Sequence, residues 1–111
     1  MEIYKLSKPI MFDGEEVTRL EMDFDNLTSK DLENAEKEAR ALLGRRENMP
    51  IPETNKKYLA CVAAKAAKVP IDLILKTYAR DYTGIALRAQ DFLLLGDSDS
   101  EDEDGETREN L

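Results

Sequence analysis

Lys8-Pro9-Ile10-Met11-Phe12-Asp13-Gly14-Glu15-Glu16-Val17-Thr18-Arg19-Leu20 is the one stretch of this sequence that reads as sheet, and its reading decides the fold class. An Asp-Gly pair between apolar alternations marks a β-hairpin. Tyr4, Leu6 and Ile10 alternate before the turn and Leu20, Met22 and Phe24 after it, and all six positions are even-numbered. A two-residue Asp13-Gly14 loop pairs odd with even positions and sends the two apolar sets to opposite faces. A three-residue loop, Phe12-Asp13-Gly14, pairs Leu6 with Leu20 and Tyr4 with Met22 and is the expected register, with Gly14 in the left-handed region. Pro9 has no N–H to give to a ladder, so the first strand is expected at a sheet edge or bent there. A lone two-stranded hairpin is marginal in water, so its apolar face has to pack on helices or on another subunit.

Outward from the hairpin the chain reads as helix. Thr28 as N-cap, Asp31 at N3 and Leu27 placed to staple onto Leu32 start a helix over Ser29–Leu43. Its apolar stripe is Leu32, Ala35, Ala39 and Leu42, its i,i+4 pairs are Glu33 with Lys37 and Glu36 with Arg40, and Gly44 stops it. Residues 45–54 hold Pro50 and Pro52 and read as an exposed connection. Within it Arg45 and Arg46, beside Glu47 and without interleaved aromatics, read as a solvated loop and not as a nucleic-acid patch.

Residues 55–68 carry Tyr58, Leu59, Val62 and Ala66 at helical spacing with alanines and Cys61 between, which predicts a central helix approached closely by its neighbours. Cys61 reads as a small buried hydrophobe. Pro70 is expected at the first position of a short helix that turns Leu73, Ile74 and Leu75 inward. A break at Arg80-Asp81-Tyr82-Thr83 then leads to a last helix over residues 83–95, with Ile85, Ala86, Ala89, Phe92 and Leu93 as its stripe and Gly96 as its stop. The expected class is α+β, mainly α. One domain over residues 1–96 holds an N-terminal antiparallel hairpin (1–25) and about four helices (29–95), followed by a disordered acidic tail over 97–111.

Composition limits what such a chain can do. At 111 residues with 41% apolar side chains it supports one small core. Residues 97–111 hold eight carboxylates against Arg108 alone, which gives the tail −7 of the total −8 and leaves −1 for the rest. The acidity therefore belongs to the tail and not to the fold. There is no histidine and a single cysteine, which excludes an intrachain disulfide, a cysteine zinc cluster and every Ser-His or Cys-His nucleophile. No spacing of carboxylates matches a calcium loop, so neither an enzyme nor a cofactor or metal site is expected. Met1-Glu2-Ile3-Tyr4-Lys5-Leu6 lacks the basic start and apolar core of a signal peptide, and no apolar run reaches the roughly 20 residues of a spanning helix. A soluble cytoplasmic protein without membrane or nucleic-acid partners is expected.

The hairpin run 8–20, then Leu27-Thr28-Ser29-Lys30-Asp31-Leu32-Glu33-Asn34-Ala35-Glu36, then Tyr58-Leu59-Ala60-Cys61-Val62-Ala63-Ala64-Lys65-Ala66-Ala67-Lys68-Val69-Pro70, and last Asp91-Phe92-Leu93, follow one another in an order and spacing that resembles the tail assembly chaperones of long-tailed bacteriophages. The likeness extends over residues 4–95, and the family often has glycine at the positions of Ser29 and Lys68. It implies a protein of the infected bacterial cytoplasm that coats the tape measure protein, keeps that long helical chain soluble and recruits tail tube subunits, and that is absent from the finished virion. It also implies a longer frameshifted product in many members; a homo-oligomer is expected from the hairpin's need for a surface to pack on. A chaperone for amphipathic helices has to offer apolar surface. Leu93-Leu94-Leu95 is too apolar all round for one face to bury, so Phe92, Leu93, Leu94 and Leu95, with Met11 and Phe12 of the hairpin, are the expected partner or self-association surface. The alternative from another class is an acidic protein that mimics nucleic acid through residues 97–111.

Overall fold

The computed structural model describes residues 1–44 and 49–96. The expectations of a solvated Arg45-Arg46 loop and of a disordered acidic tail over 97–111 lie outside the described residues. Strand β1 (Glu2–Phe12) and strand β2 (Glu15–Met22) form an antiparallel hairpin. A 3₁₀ turn over Phe24–Asn26 leads to α1 (Ser29–Leu43), and a second over Pro52–Thr54 leads to α2 (Lys56–Ala67), α3 (Ile71–Leu75) and α4 (Ala79–Leu95). The α+β, mainly α class read from the sequence is the class observed.

The hairpin register corrects the expectation. The loop has two residues, Asp13 and Gly14, both at positive φ (52° and 80°), with Phe12 opposite Glu15 and Ile10 opposite Val17. Such a mirror-image turn matches the twist of the strands, which the three-residue loop does not need to do. Further out Tyr4 faces Leu20 and Glu2 faces Met22, in place of the expected Leu6–Leu20 and Tyr4–Met22 pairs. Between these stretches the four residues 6–9 of β1 stand opposite the single Thr18 of β2. The odd offset that the apolar pattern demands is thus real, but it sits in a bulge around Pro9 and not in the turn. Phe24 is buried, from the 3₁₀ turn and not from the strand.

Helix α1 begins as its sequence dictates. Thr28 Oγ1 accepts from the Asp31 N–H (3.2 Å) while Asp31 Oδ2 accepts from the Thr28 N–H (2.9 Å). This reciprocal capping box stabilises the helix start by about 1 kcal/mol. Leu27 and Leu32 both lie half-buried against the core. At the other end Leu43, and not the expected Leu42, turns inward. Glu36 and Arg40 form their ion pair at 2.8 Å, whereas Glu33 and Lys37 form none.

Helix α2, with Asn55 as N-cap (Asn55 Oδ1 accepting from the Tyr58 N–H, 3.0 Å), lies between α1 and α4. Eight of its twelve residues are buried, so almost its whole circumference faces protein. Alanine suits that position because backbones on either side can approach within a methyl group. Met49 is buried too, which corrects the reading of 45–54 as an exposed connection throughout. Helix α2 ends at Lys68, which adopts the left-handed conformation (φ 58°, ψ 42°). Pro70 is the N-cap of α3, one position ahead of the expected first helical residue. The last helix begins at Ala79, so the break falls at residues 76–78 and Arg80, Asp81, Tyr82 and Thr83 are already helical.

Candidate functional site

Early β1 runs alongside α4 in the opposite sense, and the contacts along the seam are largely polar. Asp81, in the first turn of α4, is only 1% exposed. Its carboxylate accepts from the Ser7 N–H at both oxygens (2.9 and 3.0 Å), from Ser7 Oγ (3.1 Å) and Tyr4 Oη (3.3 Å), and at longer range from the Lys8 N–H (3.4 Å). The bulge is what frees these donors. In a regular ladder the amides of Ser7 and Lys8 alternate between partner strand and edge, whereas here both turn to one carboxylate. Burial on its own raises the Asp81 carboxyl. The hydrogen bonds from Ser7, Lys8 and Tyr4 outweigh it and hold the group below the usual carboxylate value.

Tyr4 reaches Asp81 across Gly84. A Cβ on Gly84 would lie 2.2 Å from Tyr4 Oη and 2.9 Å from Cζ, so only glycine lets the ring lie on the helix. Burial first, then the Asp81 charge, pushes the Tyr4 hydroxyl up. One helical turn further on, the Arg88 guanidinium lies 5.2 Å from the centroid of the Tyr4 ring and pairs with Glu2. At the other end of the seam the Lys8 ammonium lies 4.8 Å from the centroid of the exposed Tyr78 ring. The Lys76 ammonium lies 5.8 Å from that of Phe12.

The six residues of the expected surface do not come together. Met11 is exposed and Phe12 half-buried at the hairpin end, where Lys76 marks the start of the approach to α4. Phe92 and Leu93 are half-buried against the core at the far end of α4, with the Phe92 ring stacked on Phe24 (centroids 5.3 Å apart, planes at 22°). Leu94 and Leu95 beside them are 57% and 74% exposed. Leu87, also exposed, lies two turns before Leu94 on the same face of α4. Between them Gln90 Nε2 donates to the carbonyl of Glu53 (2.9 Å) and holds the 3₁₀ turn of Pro52–Thr54 to that face. The apolar surface therefore divides into a hairpin end and a leucine face on α4.

Sequence reading missed Asp81, Gly84 and Arg88. A signal for Asp81 was present: it stands in phase with Ile85, Ala89 and Phe92 at i, i+4, i+8 and i+11, a carboxylate on the core stripe of its helix. A groove of about 410 Å³ runs between β2 and the end of α2, lined by Val17, Leu20, Ala66, Val69 and Leu73. Arg19 and Glu21 on its lining engage one another at 3.1 Å, and Asp23 and Lys68 line it as well. Cys61 is fully buried, and burial first, then the adjacent Glu38 charge, pushes its thiol up to about 12, so it is inert as a nucleophile. Among the described residues no three acidic or cysteine side chains gather as a metal site, and no helix is long and apolar enough to cross a membrane. No protein-family model, curated protein or solved structure matches the chain.

Proposed function

We propose that this protein is a tail assembly chaperone of a long-tailed bacteriophage. It binds the tape measure protein in the host cytoplasm, keeps it soluble, helps recruit tail tube subunits, and leaves before the virion is complete. The order of hairpin, capped helix, alanine-rich helix and C-terminal leucines supports the reading. The observation that carries it is the leucine face of α4, where Leu87, Leu94 and Leu95 stand in solvent beside a core that does not need them. Such side chains suit the apolar anchors of an amphipathic guest helix, which meets Leu94 and Leu95 beyond the 3₁₀ turn that Gln90 holds against α4. The small core makes the division clear, since Phe92 and Leu93 already close it off.

Co-expression with a tape measure protein tests this. The wild-type chain is expected to co-purify with it and keep it soluble, and the Leu94→Asp, Leu95→Asp variant to lose it while remaining folded by circular dichroism. Undiminished co-purification of that variant removes the leucine face from the mechanism. A wild-type chain that never retains tape measure protein sinks the chaperone reading itself. Deleting residues 97–111 separates the chaperone from the acidic mimic, since only the mimic loses its target with the tail.

A further inference from the structure

We propose that the open edge of β2 pairs with the same edge of a second copy of this chain, antiparallel over residues 18–22, with Arg19 of each copy opposite Glu21 of the other. The two edges of the hairpin are finished differently. Along β1, Pro9 has no N–H to offer, and the bulge turns the Ser7 and Lys8 amides into Asp81 of α4. Among the described residues β2 has no strand on its other side, and its eight residues include neither proline nor glycine. The first amide past it, that of Asp23, donates to the Ala66 carbonyl (2.9 Å), and that bond marks where the open edge ends. Beside the edge runs the groove of about 410 Å³, walled on its far side by Ala66, Val69 and Leu73. An unpaired row of backbone groups next to an apolar groove takes up an added strand.

The charges of β2 select its own copy as that strand. Leu20 and Met22 are buried while Arg19 and Glu21 are exposed, so residues 18–22 alternate regularly with one face on the core. Toward the tip the alternation breaks, because Val17 and Leu20, three apart, both pack inward. A second β2 laid antiparallel keeps both helical layers on one side of the joined sheet when the two-fold axis passes through a residue and not between two. Centred on Leu20, the crossing sets Arg19 against Glu21 at both ends. Centred on Thr18 it sets Glu15 against Glu21 twice, on Arg19 arginine against arginine, and on Glu21 glutamate against glutamate. Centred on Val17 it sets Glu15 against Arg19, but across the stretch where the alternation breaks. Opposite charges facing across strands attract and like charges repel, so the Leu20 register is the one selected. Arg19 and Glu21 already meet within each chain at 3.1 Å, and the pair of copies joins them into a ring of four alternating charges. The product, β1-β2-β2-β1, is a closed two-fold dimer whose outer edges are the two β1 strands, already finished by Pro9 and α4. A third copy finds no edge to extend. None of this depends on what the leucine face holds.

Sedimentation of the full chain tests the pairing. Its mass is expected to climb from one chain to two as concentration rises and to stop there. Both side chains are about half exposed, so Arg19→Glu and Glu21→Arg leave the core intact, which circular dichroism checks. Each reversal trades two attractive pairs for two repulsive ones and is expected to weaken the dimer by at least about tenfold. Mixed one to one, the two variants are expected to dimerise again, because the acidic edge of one then faces the basic edge of the other. A second measurement needs no variant: hydrogen exchange at residues 18–22 is expected to slow as concentration rises. A wild-type mass that stays at one chain, or grows past two, overturns the proposal. So do reversals that dimerise like the wild type, a mixture that stays monomeric, or exchange in 18–22 that ignores concentration. Loss of the dimer with Arg19→Glu and Glu15→Arg but not with Glu21→Arg shifts the copy toward the tip and overturns this register. Loss with Leu94→Asp, Leu95→Asp while both charge reversals dimerise normally assigns self-association to the leucine face and overturns it as well.

Discussion

The two sides of α4 are held by opposite means. Toward α2 it packs Ile85, Ala86 and Ala89 into a dry layer whose members are all but fully buried. Toward the hairpin it offers Asp81, Arg88 and the bare backbone at Gly84, and the strand answers with amides, two hydroxyls and a carboxylate. Burial of apolar area has no preferred direction, whereas the polar seam fixes one strand at one height on one helix. The helical layer accordingly supplies stability, and the seam supplies position. A protein divided this way opens first along the seam.

The largest effect that tests this division is expected from Ile85→Ala, which removes fully buried volume between α2 and α4. A loss of about 3 kcal/mol is expected, read as one cooperative transition in urea that takes hairpin and helices together. Asp81→Ala is expected to cost about 2 kcal/mol by stranding the Ser7 and Lys8 amides, but to act locally. Hydrogen exchange in β1 accelerates while that in α2 keeps most of its protection. Equal acceleration in both would merge the two regions into one unit and remove the distinction. Acid acts on the same point. Because the folded carboxyl lies below the usual value of 3.8, its contribution is complete above that value and fades as pH falls through the lower folded one. Hairpin amides are expected to lose protection below about pH 4, ahead of the helices, and Asp81→Asn to abolish that early step.

Smaller changes sharpen the same contrast. Gly84→Ala forces Tyr4 off the helix and is expected to cost between about 1 and 3 kcal/mol at the seam, visible as a shift of the Tyr4 ring resonances. Lys68→Gly is expected to act in the opposite direction. Lys68 holds a left-handed backbone at the end of α2, and glycine relieves about 1 kcal/mol of strain there, raising the urea midpoint without touching the seam.

What the sequence disclosed follows the same line. Periodicity and capping are local, so Ser29–Leu43, the alanine-rich centre of α2 and the burial of Cys61 were readable from neighbours in the chain. The seam joins residues 74 and 77 positions apart, as in Ser7–Asp81 and Tyr4–Asp81, and no local rule reaches that far. Asp81 reads as part of a break because a carboxylate in an apolar stripe looks like an interruption until its donors are known. The parity of the hairpin was correctly seen to need an odd offset. Its location was not, because a turn is the usual place for one and the bulge exists to serve Asp81. The leucines at the end of α4 were legible as surplus, and the structure separates Leu94 and Leu95 from the half-buried Phe92 and Leu93.

The bulge at residues 6–9 has a consequence for how this chain can vary in length. Deleting one residue there turns Tyr4 and Glu2 to the opposite face of the strand and carries them away from Arg88 and Gly84. Deleting two restores their facing, at the cost of the slack that lets Ser7 and Lys8 reach Asp81. Viable insertions and deletions at this point therefore come in pairs, a rule that the two-residue turn, where Asp13 is exposed and Gly14 faces open space, does not impose on its own tip.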